Sequence, residues 1–213
     1  MRGGSYWILF LMLLLPLLVS IWIFQGEPHY ERLDILGPVE TTDEGDTVHH
    51  KIPDFELTNQ HGEPFSLDDT DGSIFVANFI FTRCPKECPV MTSNMRRVQN
   101  HFGEMDNIKF LSFSIDPNYD TPEVLHEFAD RFNIDHDNWH FLTGDKDKIH
   151  DLAKDGFFVT VKEGDRQATD YLHSELFLLI DRENRLRGVY NGMNEAEISK
   201  LKDEILVLQY EYN

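Results

Sequence analysis

Residues 73–90 read SIFVANFIFTRCPKECPV, and the change of character half-way along this stretch decides the fold. Its first nine residues are almost wholly apolar or aromatic, the pattern of a strand buried on both faces. Cys84 and Cys88, the only cysteines of the chain, follow at once, each with a proline directly behind it. Proline is easy in a first helical turn and poor further in, so a central strand passes through a constrained turn into a helix. Met91, Met95, Val98 and Phe102 then recur at helical spacing, and Gly103 closes the helix. Open α/β sheets place their sites at this carboxyl edge.

Working outward, PDFELTNQHGEPFSL (53–67) alternates around a turn and reads as a β-hairpin. IKFLSFSI (108–115) is the next strand. In DPNYDTPEVLHEFADRF, Thr121 is a good N-cap, Pro122 fits the first helical position, and Glu123 complements the dipole. WHFLTG is a short strand, and Asp145 caps a helix running through Lys154 that Gly156 stops. GFFVTVKEGDRQATDYL reads as a hairpin, and ELFLLID with RLRGVYNG as a further strand pair. Asn194 with Glu197 opens a last helix, to about Gln209, in the manner of a capping box. This order predicts an α/β fold, a mixed sheet with helices on both faces.

The N-terminal end is of another kind. From Tyr6 to Phe24 there are 19 residues without a charge, all apolar or aromatic except Ser20. As a helix this run is about 28 Å long, close to the hydrocarbon thickness of a bilayer. The reading is a single-pass anchor over residues 1–25, a flexible linker over 26–50, and one folded domain over 51–213 on the extracytoplasmic, periplasmic side of the cell membrane. Arg2 before the run agrees with that orientation. A cleaved signal peptide is the alternative, against which stand the length of the run and the lack of a small-x-small site behind it. Overall, 19 basic residues face 38 acidic ones, a net charge of −19. That balance disfavours nucleic acid and anionic membrane surfaces as partners.

The cysteines admit several readings. Four positions apart on a helical turn, they stand within disulfide range and within reach of one soft metal ion. A purely structural disulfide would close a loop of only a few residues and stabilise little. A structural zinc site would need two histidines, for which only His136 and His140 have a suitable spacing. A functional thiol pair, for redox work or copper, suits a position near a helix N-terminus, where exposed N–H groups are expected to lower a thiol pKa.

FTRCPKECPVMTSNM, SFSIDPNYDTPEVL, WHFLTG and DYLHSELFLLID together resemble the Sco/SenC family of copper-binding assembly proteins, over about residues 48–210. The resemblance implies a thioredoxin-like fold, with Cys84 and Cys88 as thiolate ligands and His173 as an imidazole ligand. It also implies delivery of copper to, or reduction of the cysteines of, the copper A site of a cytochrome c oxidase subunit. Other copper or thiol-redox proteins are further partners of this kind. Thioredoxin-like folds carry a cis-proline at about the place of His173, whereas this chain has no proline after Pro122. Two thiolates suit Cu(I), and an added imidazole suits Cu(II) as well. The family commonly has an acidic residue before this histidine and a hydroxyl residue after it; here Leu172 and Ser174 stand there, with Asp170 three positions back. A thiol–disulfide oxidoreductase that carries no metal is the rival reading. A peroxidase is a distant third, since such enzymes use one activated cysteine and no metal ligand.

Overall fold

The computed structural model describes residues 7, 10–12, 14–16, 18–20, 32–41, 45–103, 105–159 and 175–212. Two units are distinguished, residues Met1–Glu31 and Arg32–Asn213. In the first, the described residues between Trp7 and Ser20 are helical and exposed. Among the described residues, no helix is long and apolar enough to cross a membrane. The transmembrane helix expected over residues 6–24 is therefore not part of the described fold.

The second unit is built on a five-stranded mixed sheet in the order β7-β6-β5-β8-β9. Its strands are β5 (Ile74–Ile80), β6 (Ile108–Ser114), β7 (Trp139–Leu142), β8 (Leu176–Ile180) and β9 (Leu186–Asn191). The run that opened the reading is the middle strand, and all its residues are buried. It pairs parallel with β6 and antiparallel with β8. β6, read from its alternation, is buried almost throughout, because parallel partners flank it on both sides.

Asn78 is the polar residue within β5, and its partners explain its place. Its Oδ1 accepts from Ser112 Oγ at 2.7 Å, and Trp139 Nε1 donates to the same Ser112 oxygen at 2.9 Å. A polar thread thus crosses β5, β6 and β7 inside the core, where slippage of one residue would leave each member unpaired.

The helices follow their expected signals. α1 (Glu87–Phe102) ends at Gly103. α2 (Pro122–Arg131) has Thr121 as its cap and Pro122 first, with the Thr121 side chain accepting from Val124 N. α3 (Lys146–Asp151) is capped by Asp145, but its expected last turn is a wider π turn over Leu152–Gly156. α4 (Glu195–Glu211) begins with Asn194 accepting from Ala196 N. The hairpin at 53–67 is present as β3 (Glu56–Thr58) against β4 (Pro64–Ser66). The hairpin read at 156–172 falls mostly outside the described residues.

Part of the stretch read as a linker has structure. β1 (Val39–Thr41) pairs with β2 (Thr47–His49), and Leu36 N donates to Leu186 O at 2.8 Å. The reason lies in charge burial. Arg187, on β9, donates to buried Asp181 at 2.8 Å and to Glu211 at 2.8 Å, and its remaining N–H groups reach the carbonyls of Leu33 and Asp34. A buried guanidinium needs all these acceptors, so the segment before β1 is drawn onto β9.

His140, on β7, packs its ring on Phe65 with centroids 4.5 Å apart, and its Nδ1 is buried without a hydrogen-bond partner. Burial, with Lys109 nearby, lowers its pKa to about 4. The fold therefore holds the neutral ring. This contribution is complete above the ordinary imidazole value and is lost as pH falls from there through the depressed one. Between neutral pH and pH ~4, His140 should account for about 2–3 kcal/mol of lost stability. Urea melts across that range should show a flatter acid slope for His140→Phe than for the wild type.

Candidate metal centre

The centre is built where β5 ends. Cys84 lies in the turn and Cys88 is the second residue of α1, and both are buried, at 4% and 0% exposure. The expected placement at a helix N-terminus holds. The Cys88 N–H donates to Cys84 Sγ at 3.3 Å, the arrangement that favours negative charge on sulfur.

The expected lowering of the thiol pKa does not hold for Cys88, whose value is raised far above the ordinary range. Its hydrogen bond to Cys84 is the main cause, followed by burial, with the Glu87 charge a smaller one. Glu87 also accepts from Cys84 Sγ at 3.7 Å. The hydrogen bond with Cys84 and burial outweigh the backbone hydrogen bond at Phe81 that works the other way. Cys88 is thus held as a neutral thiol.

The two residues before Cys84 are gripped by the segment that follows β6. Thr82, just after β5, donates both its N–H and its hydroxyl to the Asp120 carboxylate. Ser114, at the end of β6, donates to the same carboxylate at 2.5 Å. Asp120 has no exposed surface. Burial raises its pKa, while the bonds from Ser114 and Thr82 work the other way. Next to Thr82, Arg83 pairs with Asp116 and lies over the Tyr119 ring at 4.2 Å.

Asp116 both shapes the Asp-Pro turn and borders the cysteine turn. Its carbonyl accepts from Tyr119 N and Asp120 N, while its carboxylate holds Arg83. Sequence reasoning missed Asp120, Arg83 and Glu87. The signal available for the first two was the joint presence of T-R-C-P and D-P-x-x-D-T, whose side chains meet here.

His173 falls among residues 160–174, outside the described residues, as do Asp170, Leu172 and Ser174. Cys84 and Cys88 are brought together. His136 and His140, weighed as zinc partners for them, are otherwise engaged: His140 with Phe65 and His136 with Gln60 and Asp130.

The model of the SCO1/SenC family matches residues 43–205. The chain belongs to this family. The SCO1 protein homolog of Bacillus subtilis is 32% identical over 164 residues, covering 75% of this chain and 83% of that one. A solved structure of BsSco, a Sco-family cytochrome c oxidase assembly protein in which a disulfide switch was identified, superposes with a TM-score of 0.70. It is 27% identical and covers 84% of this chain and 98% of that one. ScoI of Bradyrhizobium japonicum, solved with copper bound, shares the fold, with a TM-score of 0.62 at 23% identity over 73% of this chain and 98% of that one. For this SCO1/SenC protein the expected thioredoxin-like α/β fold with its mixed sheet holds.

Asp120 is the testable part of the frame. Asp120→Ala strips the shared acceptor from Thr82 and Ser114 and should cost about 2–3 kcal/mol. It should also free the turn, so that a thiol reagent modifies Cys84 several-fold faster under native conditions. Unchanged modification rates and an unchanged denaturation midpoint would show that the turn is held by other means.

Proposed function

We propose that this chain is a membrane-anchored copper metallochaperone that assists assembly of the copper A centre of cytochrome c oxidase. Copper is the cargo. The observation that carries the reading is the pair of buried cysteines at the start of α1 in a chain of the SCO1/SenC family. Two sulfurs in a water-poor pocket form a soft donor set that suits Cu(I). The copper-bound structure of a relative with the same fold supports copper as the ion.

Cys84 and Cys88 supply thiolates, and His173 the imidazole that lets the set accept Cu(II). What supports the third ligand is strand pairing. β8 runs antiparallel to β5 with Leu178 opposite Ala77, so its first residue, Leu176, stands towards the carboxyl end of β5, where the cysteine turn begins. His173 precedes Leu176 by three residues. Anchoring is supported by the uncharged run Tyr6–Phe24 and by the exposure of its described helical residues. An anchor there would hold residues 32–213 beside a membrane-embedded client on the periplasmic side.

A second reading is favoured by the disulfide switch of the related BsSco and by the close approach of the two cysteines, with Cys88 N 3.3 Å from Cys84 Sγ. In it the pair reduces the client's cysteines, becoming a disulfide as two thiols give up two protons and two electrons to the client's disulfide.

Removing one ligand at a time separates the readings. His173→Ala should weaken Cu(II) binding by about tenfold or more and change the copper spectrum, while thiol titration still counts two free thiols. Copper binding indifferent to that substitution would reject the three-ligand centre. For the reductase, copper-free protein should turn over a client disulfide; an intact dithiol without turnover counts against it.

A further inference from the structure

Away from the cysteine turn, three histidines from three separate segments converge: His61 in the β3–β4 turn, His126 on α2, and His136 in the loop before β7. One ring nitrogen from each lies within 4.8 Å of the others. The ring centroids are 5.3, 5.2 and 5.0 Å apart around the triangle. His61 is exposed and the other two half-buried, so the cluster opens to solvent. We propose that these three imidazoles form a second metal site, for a borderline divalent ion such as zinc.

The donors fit that class. Imidazole suits zinc and copper(II), and Zn–N bonds are about 2.0–2.1 Å long. Three nitrogens around one ion then stand about 3.4 Å apart, so side chains on a surface turn, a helix face and a loop need close by little more than an ångström. Asp130 supplies the countercharge. Its carboxylate lies 3.6 Å from His126 Nε2 and 3.2 Å from His136 Nε2. It can serve as a fourth ligand or as an outer partner that orients the rings.

A buried amide sets the direction of His136. Gln60, 2% exposed, accepts from Phe141 N at 2.9 Å and donates to Trp139 O at 3.0 Å. With its amide fixed by the β7 backbone, its nitrogen faces His136 Nδ1 at 3.2 Å. His136 Nε2 is thereby turned towards Asp130 and carries the ring proton in the metal-free protein. When a cation takes Nε2, that proton moves to Nδ1 and the Gln60 contact is given up.

This donor set differs from that of the thiols. Nitrogen with carboxylate oxygen holds Zn(II) or Cu(II), whereas two sulfurs hold Cu(I).

The test isolates the cluster by titrating zinc(II) alone, against a colorimetric chelator, into the full chain bearing Cys84→Ser and Cys88→Ser. One zinc should bind. Adding His61→Ala or His126→Ala should weaken it by about tenfold or more, with unchanged circular dichroism. Adding His101→Ala, at the far end of α1, should leave it unchanged. Absence of zinc binding, or an affinity that ignores His61 and His126, or one that falls equally with His101, would overturn the assignment. With the thiols removed, the result does not depend on how the cysteines are used.

Discussion

One buried carboxylate holds the cysteine turn in place. Asp120 takes hydrogen bonds from Thr82, just past β5, and from Ser114, at the end of β6. The two central strands are therefore tied together beyond their last ladder bond, at the edge where the thiols sit. Burial works against the charge, but three donors converge on it, and each would lose its partner if the carboxylate were removed. Such a group is costly to bury and costlier to remove. The adjacent Arg83–Asp116 pair repeats the grip one residue on. Cys84 is thus anchored from the residues preceding it, and Cys88 by its place in the first turn of α1.

That frame decides the chemistry of the sulfurs. A helix N-terminus alone favours a thiolate. Here the second thiol is sunk out of water beside its partner and a glutamate, and it is held protonated instead. A buried dithiol of this kind gains its charge when a soft cation compensates it, which couples loading to proton release. The histidine cluster is the opposite case: it opens to solvent and carries no sulfur.

Much of the fold was legible. The buried strand, the caps at Thr121, Asp145 and Asn194, and the hairpin at 53–67 are local features, set by side-chain period and by groups that satisfy the backbone within a few residues. The pairing of T-R-C-P with D-P-x-x-D-T was visible as a resemblance, but its cause was not. Which aspartate holds the turn and which holds Arg83 depends on how β5 and β6 lie side by side. The docking of residues 33–36 was hidden for a like reason, since Arg187 reads as an ordinary strand-face cation until Asp181 and Glu211 are beside it.

By itself the sequence determined the cysteine turn at the end of a central strand, the uncharged N-terminal run, the acidic surface and the membership of a family. These follow from residue type and short spacing, which act within one element. Only the tertiary structure decided that Asp120 ties β5 to β6 and that His61, His126 and His136 meet. Each of these joins groups far apart along the chain. Their energies come from desolvation and from distances that exist only once the sheet is assembled.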